Sequence, residues 1–413
     1  EEERLCPKGH GPMRVIGKEV TREIAIIPAK TYVIEHVQYK YACEPCQDHD
    51  IETPIKVAPK PKRAIPGSMT SSSLIAHIIN QKYTLGMPLY RQEQEFHRQG
   101  LALSRQNLAN WVMKAAEWFK VIYNRMHEYL LKEDILHADE TTVQVLQEPG
   151  KKATSKSFMW LYRTGKYTSN PIVLFDYQPS RSGSHAEAFL EGFKGYLHTD
   201  GYSGYNHLNV TRIGCWAHAR RKFKECLDAL GKGKQYKSLR TLANEGFKYC
   251  QDLYRIESKI RDLSIEDRLT YRQEYSLPIV EGFSAWLHKH KDRVLPKSML
   301  GKAIEYSINQ LNYLKNYLLD GRLEIDNNRA ERSIKPFVMG RKGWLFSNTP
   351  RGAESSAIIY SLIETIKENN LKPYEYIKYL LDTLPQMDIN NSEVVDQLLP
   401  WSESIPEDCR LKS

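Results

Sequence analysis

The 413-residue sequence predicts a multidomain α/β protein, with a mixed α/β core preceded by a small cysteine-containing module and a helical domain. Strand-like segments between residues 132 and 215 come before a long, charged, helical stretch, which is the pattern of a mixed domain with a helical insertion. A proline- and lysine-rich stretch separates the first 53 residues from the rest, as a linker does. Apolar residues make up 41% of the chain, which is enough to bury several cores and excludes global disorder.

Residues 1–53 are the first predicted module, a zinc-finger-like unit with a strand-like run at Thr31–Tyr41. It contains two close pairs of the soft or borderline ligands that tetrahedral zinc prefers, namely Cys6, His10, Cys43 and Cys46. A structural Zn²⁺ is expected because a module with so few large apolar residues is hard to stabilise alone. His49 is a fifth candidate ligand. The alternative is a small β module whose cysteines bind no metal.

Residues 54–66 are predicted to be an extended linker, because proline at high density continues neither a helix nor a central strand. From Thr53 to Gln92 the chain carries six basic residues and no acidic one. Such a local field suits a polyanion, whereas the alternative is ordinary solvated surface. The residues of the linker expected to contact phosphates are Lys56, Lys60, Lys62 and Arg63.

Residues 67–131 are predicted to be a helical DNA-binding domain. Leu89–Gln99 is expected to form a short helix that ends at Gly100, and Ser104 can N-cap a longer one. A helix, a glycine turn and a helix are the outline of a helix-turn-helix. Polar side chains of types that bond base edges lie at the start of the second helix: Arg105, Gln106 and Asn110. The alternative is a plain αα-hairpin.

Residues 132–375 are expected to form the mixed α/β domain, with a helical insertion at about 217–320, and residues 376–413 a carboxyl-terminal tail. The predicted strands are Asp134–Leu146, Ser157–Thr164, Pro171–Tyr177 and Tyr196–Thr199. The helices predicted outside the insertion are His185–Phe193, 327–335 and 354–369. The last two should flank a stretch with glycine and tryptophan, Gly340–Phe346.

Asp139 and Asp200 each end a strand-like run, and each follows a histidine by two residues. Since residues i and i+2 share a face of a strand, His137 and His198 are expected to support the aspartates through hydrogen bonds. A third acid, Glu331, lies among basic residues that can hold phosphate: Arg332, Lys335, Arg341 and Lys342. Three converging carboxylates in a basic surround are what two-metal phosphoryl chemistry requires, and hard oxygen ligands suit Mg²⁺.

Cys215 and His218 form a further closely spaced pair, followed by Arg220 and Arg221. Two ligands do not fill a zinc site. The pair is therefore expected to serve mainly packing and DNA-side structure beside the two arginines, and metal binding is the alternative.

Four long strings occur in order along the chain: HADETTVQVL, HTDGYSGYNHL, GCWAHARRKF and DNNRAERSIKPFVMGRKGWLF. They closely resemble transposases of the insertion-sequence-66 family, transposase C type, and the resemblance covers nearly the whole chain. It implies a DDE transposase with a ribonuclease-H-like core. By motif match the triad is Asp139, Asp200 and Glu331, holding two Mg²⁺ (or Mn²⁺) ions. The implied reaction is metal-dependent cutting at transposon ends, followed by strand transfer by the freed 3′-hydroxyl.

The sequence departs from the family pattern at two positions. Gly9 stands where the zinc module usually has a cysteine, and His10 beside it is the expected replacement. Many DDE enzymes carry a basic residue seven positions after the glutamate. That position is Val338 here, and Lys335 is the nearest substitute.

The partners that the resemblance implies are transposon terminal inverted repeats, target DNA, a second copy of the chain in a homodimer or higher oligomer, and small element-encoded proteins. Seven cysteines without a visible export signal or membrane span fit a bacterial cytoplasm, in association with the nucleoid. Two other functions stay open. One is a catalytically silent DNA-binding regulator derived from a transposase, and the other is a ribonuclease-H-like nuclease without strand transfer.

Overall fold

The computed structural model describes residues 5–26, 30–48, 52–60, 62–229 and 241–412. They belong to two compact units, residues 5–60 and residues 62–412. His49, the fifth candidate zinc ligand, lies outside the described residues, as does Pro61 of the predicted linker.

The amino-terminal unit holds a two-stranded sheet and a short helix: β1 (Lys40–Ala42), α1 (Glu44–Asp48) and β2 (Ile55–Val57). β1 pairs antiparallel with β2. None of the described residues of this unit is buried, so no apolar core holds it together. The strand predicted at Thr31–Tyr41 is wrong over most of its length. Its β-branched and aromatic side chains are mostly exposed and have no sheet face to pack against, so their β-propensity is not realised.

The second unit opens with α2 (Ser72–Ile79, followed by a π-helical turn at Asn80–Thr84), α3 (Leu89–Arg98) and α4 (Arg105–Leu130). The turn between α3 and α4 contains Gly100 with a φ of 82°, which glycine adopts readily. Ser104 caps α4 as predicted, because its hydroxyl accepts the N–H of Asn107 at 3.2 Å. The apolar face of α4 is buried in the same core as the sheet that follows.

A five-stranded sheet forms the centre of this unit: β3 (Ile135–Gln144), β4 (Lys156–Thr164), β5 (Val173–Gln178), β6 (Tyr196–His198) and β7 (Thr211–Ile213). The spatial order is β5-β4-β3-β6-β7. β3, β4 and β5 pair antiparallel, whereas β6 and β7 run parallel to β3. All four predicted strands are present. The helix predicted between the last two is α5 (Gly183–Phe189), and the three-residue β7 was not predicted.

A group of helices with its own apolar core follows the sheet strands in sequence. It contains α6 (Trp216–Ala229), α7 (Leu242–Lys259), α8 (Ile265–Tyr271), α9 (Leu277–Lys291) and α10 (Met299–Lys315). The predicted helical character of this stretch is confirmed. The indole N–H of Trp216 donates to the carbonyl of Leu314 at 2.9 Å and so ties the first of these helices to the last.

The chain then forms α11 (Asn328–Trp344), α12 (Pro350–Glu368), α13 (Pro373–Thr383) and α14 (Ser392–Asp396). The predicted break at Gly340–Phe346 is wrong, because α11 continues through Pro336 and Gly340 to Trp344. Gly340 allows a close approach between helices: a Cβ there would lie 2.5 Å from the hydroxyl of Tyr360 on α12. Tertiary packing thus overrides the weak helix propensity of this stretch.

Helix α12 covers the outer edge of the sheet. The N–H of Val173 donates to the Thr365 hydroxyl at 3.0 Å, and the N–H of Phe175 donates to the Ser361 hydroxyl at 2.7 Å. Side chains of α12 therefore satisfy backbone groups that an edge strand otherwise leaves open. The carboxyl-terminal segment is also packed, since Leu398 and Leu399 are fully buried.

Candidate active site

Asp139 and Asp200 lie next to each other at one edge of the central sheet. His137 on β3 is the register partner of His198 on the parallel strand β6. Each aspartate follows its histidine by two residues, so the two carboxylates emerge at the same end of neighbouring strands. Asp200 lies just beyond β6, where its Oδ1 accepts the N–H of Tyr202 at 2.9 Å. Asp139 Oδ1 accepts the N–H of Glu140 at 2.8 Å.

The electrostatics of Asp139 indicate an excess of negative charge. Burial raises the pKa of its carboxyl to about 8, and three neighbouring carboxylates contribute in the same direction: Glu140, Asp200 and Glu331. Glu140 has protein partners, because it accepts from Arg181 Nε at 2.8 Å and from the Tyr205 hydroxyl at 2.6 Å. Asp139 has no such cation beside it among the described residues.

Glu331 approaches from the first turn of α11. Its Oε1 atom is buried without a hydrogen-bond partner among the described residues. An imidazole and a guanidinium lie nearby but beyond hydrogen-bond range: His218 Nε2 lies 3.8 Å from Oε1, and Arg221 Nη2 lies 3.7 Å from Oε2. A buried carboxylate oxygen with no partner is costly, and a bound cation would satisfy it.

These three carboxylates fit the hard cation that the sequence predicts. A divalent ion that prefers oxygen ligands would neutralise negative charge at Asp139 and would give the buried oxygen of Glu331 a partner. Their oxygens do not gather in one tight cluster, however. In the described part of the chain, the metal-ligating atoms that all lie within 4.8 Å of one another belong to Cys215, His218 and Glu331.

Asn327 fixes the start of α11 and was missed by sequence reasoning. It is fully buried, and its Nδ2 donates to the carbonyl of Ala138 at 2.8 Å while its Oδ1 pairs with His137 Nδ1 at 3.0 Å. Its backbone N–H donates to the sulfur of Cys215 at 3.3 Å. Glu331 lies one turn later, so Asn327 sets its distance from β3. The signal in the sequence is the asparagine pair just before a predicted helix.

The expectation that His137 and His198 bond the aspartates is wrong. Both rings are buried and stack on each other with centroids 4.1 Å apart. His137 pairs with Asn327, and its Nε2 lies 3.1 Å from Glu324, whereas both ring nitrogens of His198 lack a partner among the described residues. Burial lowers the pKa of His198 well below its usual range. The rings fill the interior behind the sheet edge, where the aspartates do not reach.

Asp326, the nearby acid that competes with Glu331 as third ligand, is already occupied. Its Oδ1 accepts the N–H of Asn328 at 3.1 Å, and its Oδ2 accepts the hydroxyl of Tyr254 at 2.8 Å. The N-cap position itself belongs to Asn327, and the carboxylate of Asp326 bonds the backbone of the first helical residue.

The residues predicted to bind DNA have different environments. Many are exposed: Lys56, Lys60, Lys62, Arg63, Arg105, Gln106, Asn110, Arg221, Arg332, Lys335 and Lys342. Arg341 donates to the Thr142 hydroxyl on β3 at 3.1 Å. Arg220 is half-buried and stacks over the ring of Phe247 at 4.9 Å, so packing occupies much of its side chain.

The four candidate zinc ligands of the amino-terminal unit are arranged as two pairs. Cys6 Sγ lies 3.7 Å from His10 Nδ1. Hydrogen bonds from the backbone and thiol of Cys46 lower the pKa of the Cys43 thiol, as expected for two adjacent sulfurs. The described residues of this unit include no group of three ligand atoms within 4.8 Å, so the two pairs are not joined.

Comparison with known families gives matches along most of the chain. Residues 67–355 match the model of the transposase IS66 family. Residues 3–47 match the zinc-finger binding domain of transposase IS66, and residues 361–401 match the IS66 C-terminal element.

Two relatives from Sinorhizobium fredii are similar over nearly the full chain, and both are called uncharacterized proteins. The protein y4jD is 32% identical over 97% of this chain and 78% of its own length. The protein y4hP is 30% identical over 95% of this chain and 72% of its own length. In the described part of the chain, no helix has the length and apolar character needed to cross a membrane.

Proposed function

Because the chain belongs to the transposase IS66 family, we propose that it is a DNA transposase that binds transposon ends and catalyses metal-dependent strand cleavage and strand transfer. The observation that carries this function is the side-by-side placement of Asp139 and Asp200 on parallel strands, with Glu331 close enough to raise the pKa of Asp139.

Asp139, Asp200 and Glu331 would hold two Mg²⁺ (or Mn²⁺) ions. Such ions activate the attacking oxygen and stabilise the leaving oxygen in phosphoryl transfer. The exposed Arg332 and Lys335, on the same helix as Glu331, would hold phosphates near the cut.

We also propose that the central sheet is a ribonuclease-H-like core. Three antiparallel strands followed by two strands parallel to the first, with one acid on the first strand, one just after the fourth and one on a later helix, support this interpretation. The helices α6 to α10 are then an insertion between the second and the third acid.

DNA recognition is proposed for α3, α4 and the basic residues before them. Arg105, Gln106 and Asn110 are exposed at the start of α4, where a recognition helix contacts base edges. The basic residues before these helices would contact phosphates, and such contacts do not distinguish one DNA sequence from another: Lys56, Lys60, Lys62 and Arg63. Terminal inverted repeats and target DNA are the proposed ligands, bound by a homodimer or larger assembly with element-encoded accessory proteins.

A structural Zn²⁺ in the amino-terminal unit is proposed on two grounds. The family match to a zinc-finger domain covers Cys6, His10, Cys43 and Cys46. No described residue of this unit is buried, so a metal would supply the stability that an apolar core does not. Closing the site requires the two ligand pairs to come together.

The test is cleavage of a supercoiled donor plasmid that carries transposon ends, with Mg²⁺ and the purified chain. Asp139→Asn, Asp200→Asn and Glu331→Gln should each lower the rate by about a thousandfold or more, because each removes a metal ligand. Asp326→Asn is the matched control. It should cleave at a near-normal rate, although asparagine cannot keep all the hydrogen bonds that the Asp326 carboxylate accepts and some stability is lost.

The assay also separates the other two functions. A silent regulator would bind the ends without cutting them, but the presence of all three acids favours the enzyme. A nuclease without strand transfer would cut and then fail to join the freed 3′ end to a target plasmid. An active Glu331→Gln variant, together with a folded but inactive Asp326→Asn variant, would show that Asp326 is the third ligand.

A further inference from the structure

Cys215, His218 and Glu331 come from two helix starts that are far apart in sequence. Cys215 directly precedes α6, and His218 lies in its first turn, three residues later and on the same side. Glu331 lies in the first turn of α11. Their ligand atoms all lie within 4.8 Å of one another.

Two buried polar atoms in this cluster have no hydrogen-bond partner among the described residues: His218 Nδ1 and Glu331 Oε1. The carboxylate and the imidazole approach only to 3.8 Å, which is too far for a hydrogen bond. Unpaired buried polar atoms are uncommon in folded proteins and need a physical cause. A ligand between them would provide one.

The donor set indicates the kind of ligand. A thiol, an imidazole and a carboxylate together are the donors of a zinc site with an open fourth position, whereas Mg²⁺ avoids sulfur. Donor atoms around tetrahedral zinc lie about 3.5 Å apart, and the one separation known in this cluster, between His218 Nε2 and Glu331 Oε1, is 3.8 Å. Half-exposed His218 and Glu331 give a metal ion access from solvent.

We infer that Cys215, His218 and Glu331 form a binding site for a thiophilic divalent cation such as Zn²⁺, which takes Glu331 as its third ligand and so competes with Mg²⁺ for that carboxylate. The competition rests on the proposed role of Glu331, whereas the cation site itself does not. Binding displaces the thiol proton of Cys215 into solvent, because zinc binds the thiolate. Zinc would hold the transposase in a state that lacks its third catalytic ligand.

The experiment titrates the metal-free full chain with Co²⁺ in the absence of DNA and follows the thiolate-to-cobalt absorption. The amino-terminal cysteines are the same in all variants, so their signal cancels in comparisons. Cys215→Ser should bind one equivalent of Co²⁺ less than the unaltered chain, and Glu331→Gln should weaken that equivalent about tenfold or more. Cys226→Ser is the matched control on the same helix, where the thiol bonds only the Lys222 carbonyl, and should bind the full complement.

Competition is measured by repeating the titration with Mg²⁺ at ten times its own Kd. The apparent Co²⁺ affinity of the Cys215 site should fall about tenfold in the unaltered chain and stay constant in Asp139→Asn, which has lost a Mg²⁺ ligand. If Cys215→Ser and Cys226→Ser bind the same number of Co²⁺ ions per chain, the proposed site is wrong. An apparent Co²⁺ affinity that does not change when Mg²⁺ is added would contradict the proposed competition.

His218→Asn, at a half-exposed position, serves as the second variant if Cys215→Ser does not fold. This variant should also bind one equivalent of Co²⁺ less than the unaltered chain. If it binds the full complement, the proposed site is wrong. The Co²⁺ titrations need no DNA, so they test the cation site independently of the proposed function. If the proposed function is wrong, the chain will not cleave DNA but will still bind the extra Co²⁺.

Discussion

Asn327→Ala should weaken the second unit far more than a surface substitution, because Asn327 joins β3 to the start of α11. Alanine removes two hydrogen bonds, from Nδ2 to the Ala138 carbonyl at 2.8 Å and between Oδ1 and His137 Nδ1 at 3.0 Å. The backbone bond to Cys215 remains. The groups left behind are buried and cannot exchange their partner for water.

The magnitude follows from these contacts. Two hydrogen bonds contribute about 1 kcal/mol each, and leaving their partners unpaired in the interior adds to the loss, so we expect about 2–4 kcal/mol. Urea unfolding of the variant and of the unaltered chain measures it. Asn328→Ala is the matched control, since its half-buried amide bonds only Asp326, at 2.7 Å, and we expect a loss of about 1 kcal/mol or less.

The same substitution should also lower cleavage in the folded protein, because Glu331 lies one turn after Asn327. The rate should fall at a temperature where the variant is fully folded, while DNA affinity is kept. Asn327→Asp should not rescue it, since a carboxylate cannot donate to the Ala138 carbonyl. Equal losses of stability in Asn327→Ala and Asn328→Ala, with cleavage unchanged, would refute the positioning role of Asn327.

Three more outcomes are expected. Metal analysis should find zinc in the amino-terminal unit, and removing the zinc with a chelator should unfold that unit. If the His10→Ala variant still binds zinc, His49 is the better fourth ligand. Neutralising the four basic residues of the linker should weaken binding to all DNA sequences and make the affinity less dependent on salt. Gln106→Ala should instead change the sequence preference. Identical binding profiles for these two variants would contradict the assignment of the linker to phosphates and of Gln106 to bases. Burial raises the pKa of Asp176 to about 6, so the native state holds its proton more tightly and the contribution of this carboxyl to stability falls as pH rises from about 4 through 6. Asp176→Asn should remove at most about 3 kcal/mol of that fall, and parallel stability curves for the two proteins would contradict it.

Local sequence patterns were sufficient to predict the strands and their acids. β3 and β4 combine β-branched and aromatic residues with clear turn signals, and the predicted strands place Asp139 within the first strand and Asp200 directly after the fourth. The Ser104 cap likewise depends only on residues three apart. The run at Thr31–Tyr41 has the same composition but no sheet to pack on, which a local pattern does not reveal.

Long-range packing decided the features that the sequence did not reveal. The continuation of α11 through Pro336 and Gly340 depends on contact with Tyr360, and the burial of the two histidines depends on Asn327 and Glu324. Glu331 was chosen from a family match, because spacing alone gives no reason for an acid 131 residues after Asp200 to return to the same edge.

The structure supplies that reason at the two ends of the helical group α6–α10. The N–H of Trp216 donates to the Ile325 carbonyl at 3.2 Å, and the N–H of Asn327 donates to the sulfur of Cys215 at 3.3 Å, so entry and exit are joined. The chain therefore leaves the sheet beside Asp200 and returns to the same point before α11 begins. Since lengthening a closed loop adds only slowly to its entropy, helices can be gained or lost within the group while Glu331 keeps its place. The position of the third acid thus depends on this junction, and much less on the length of chain that the junction closes.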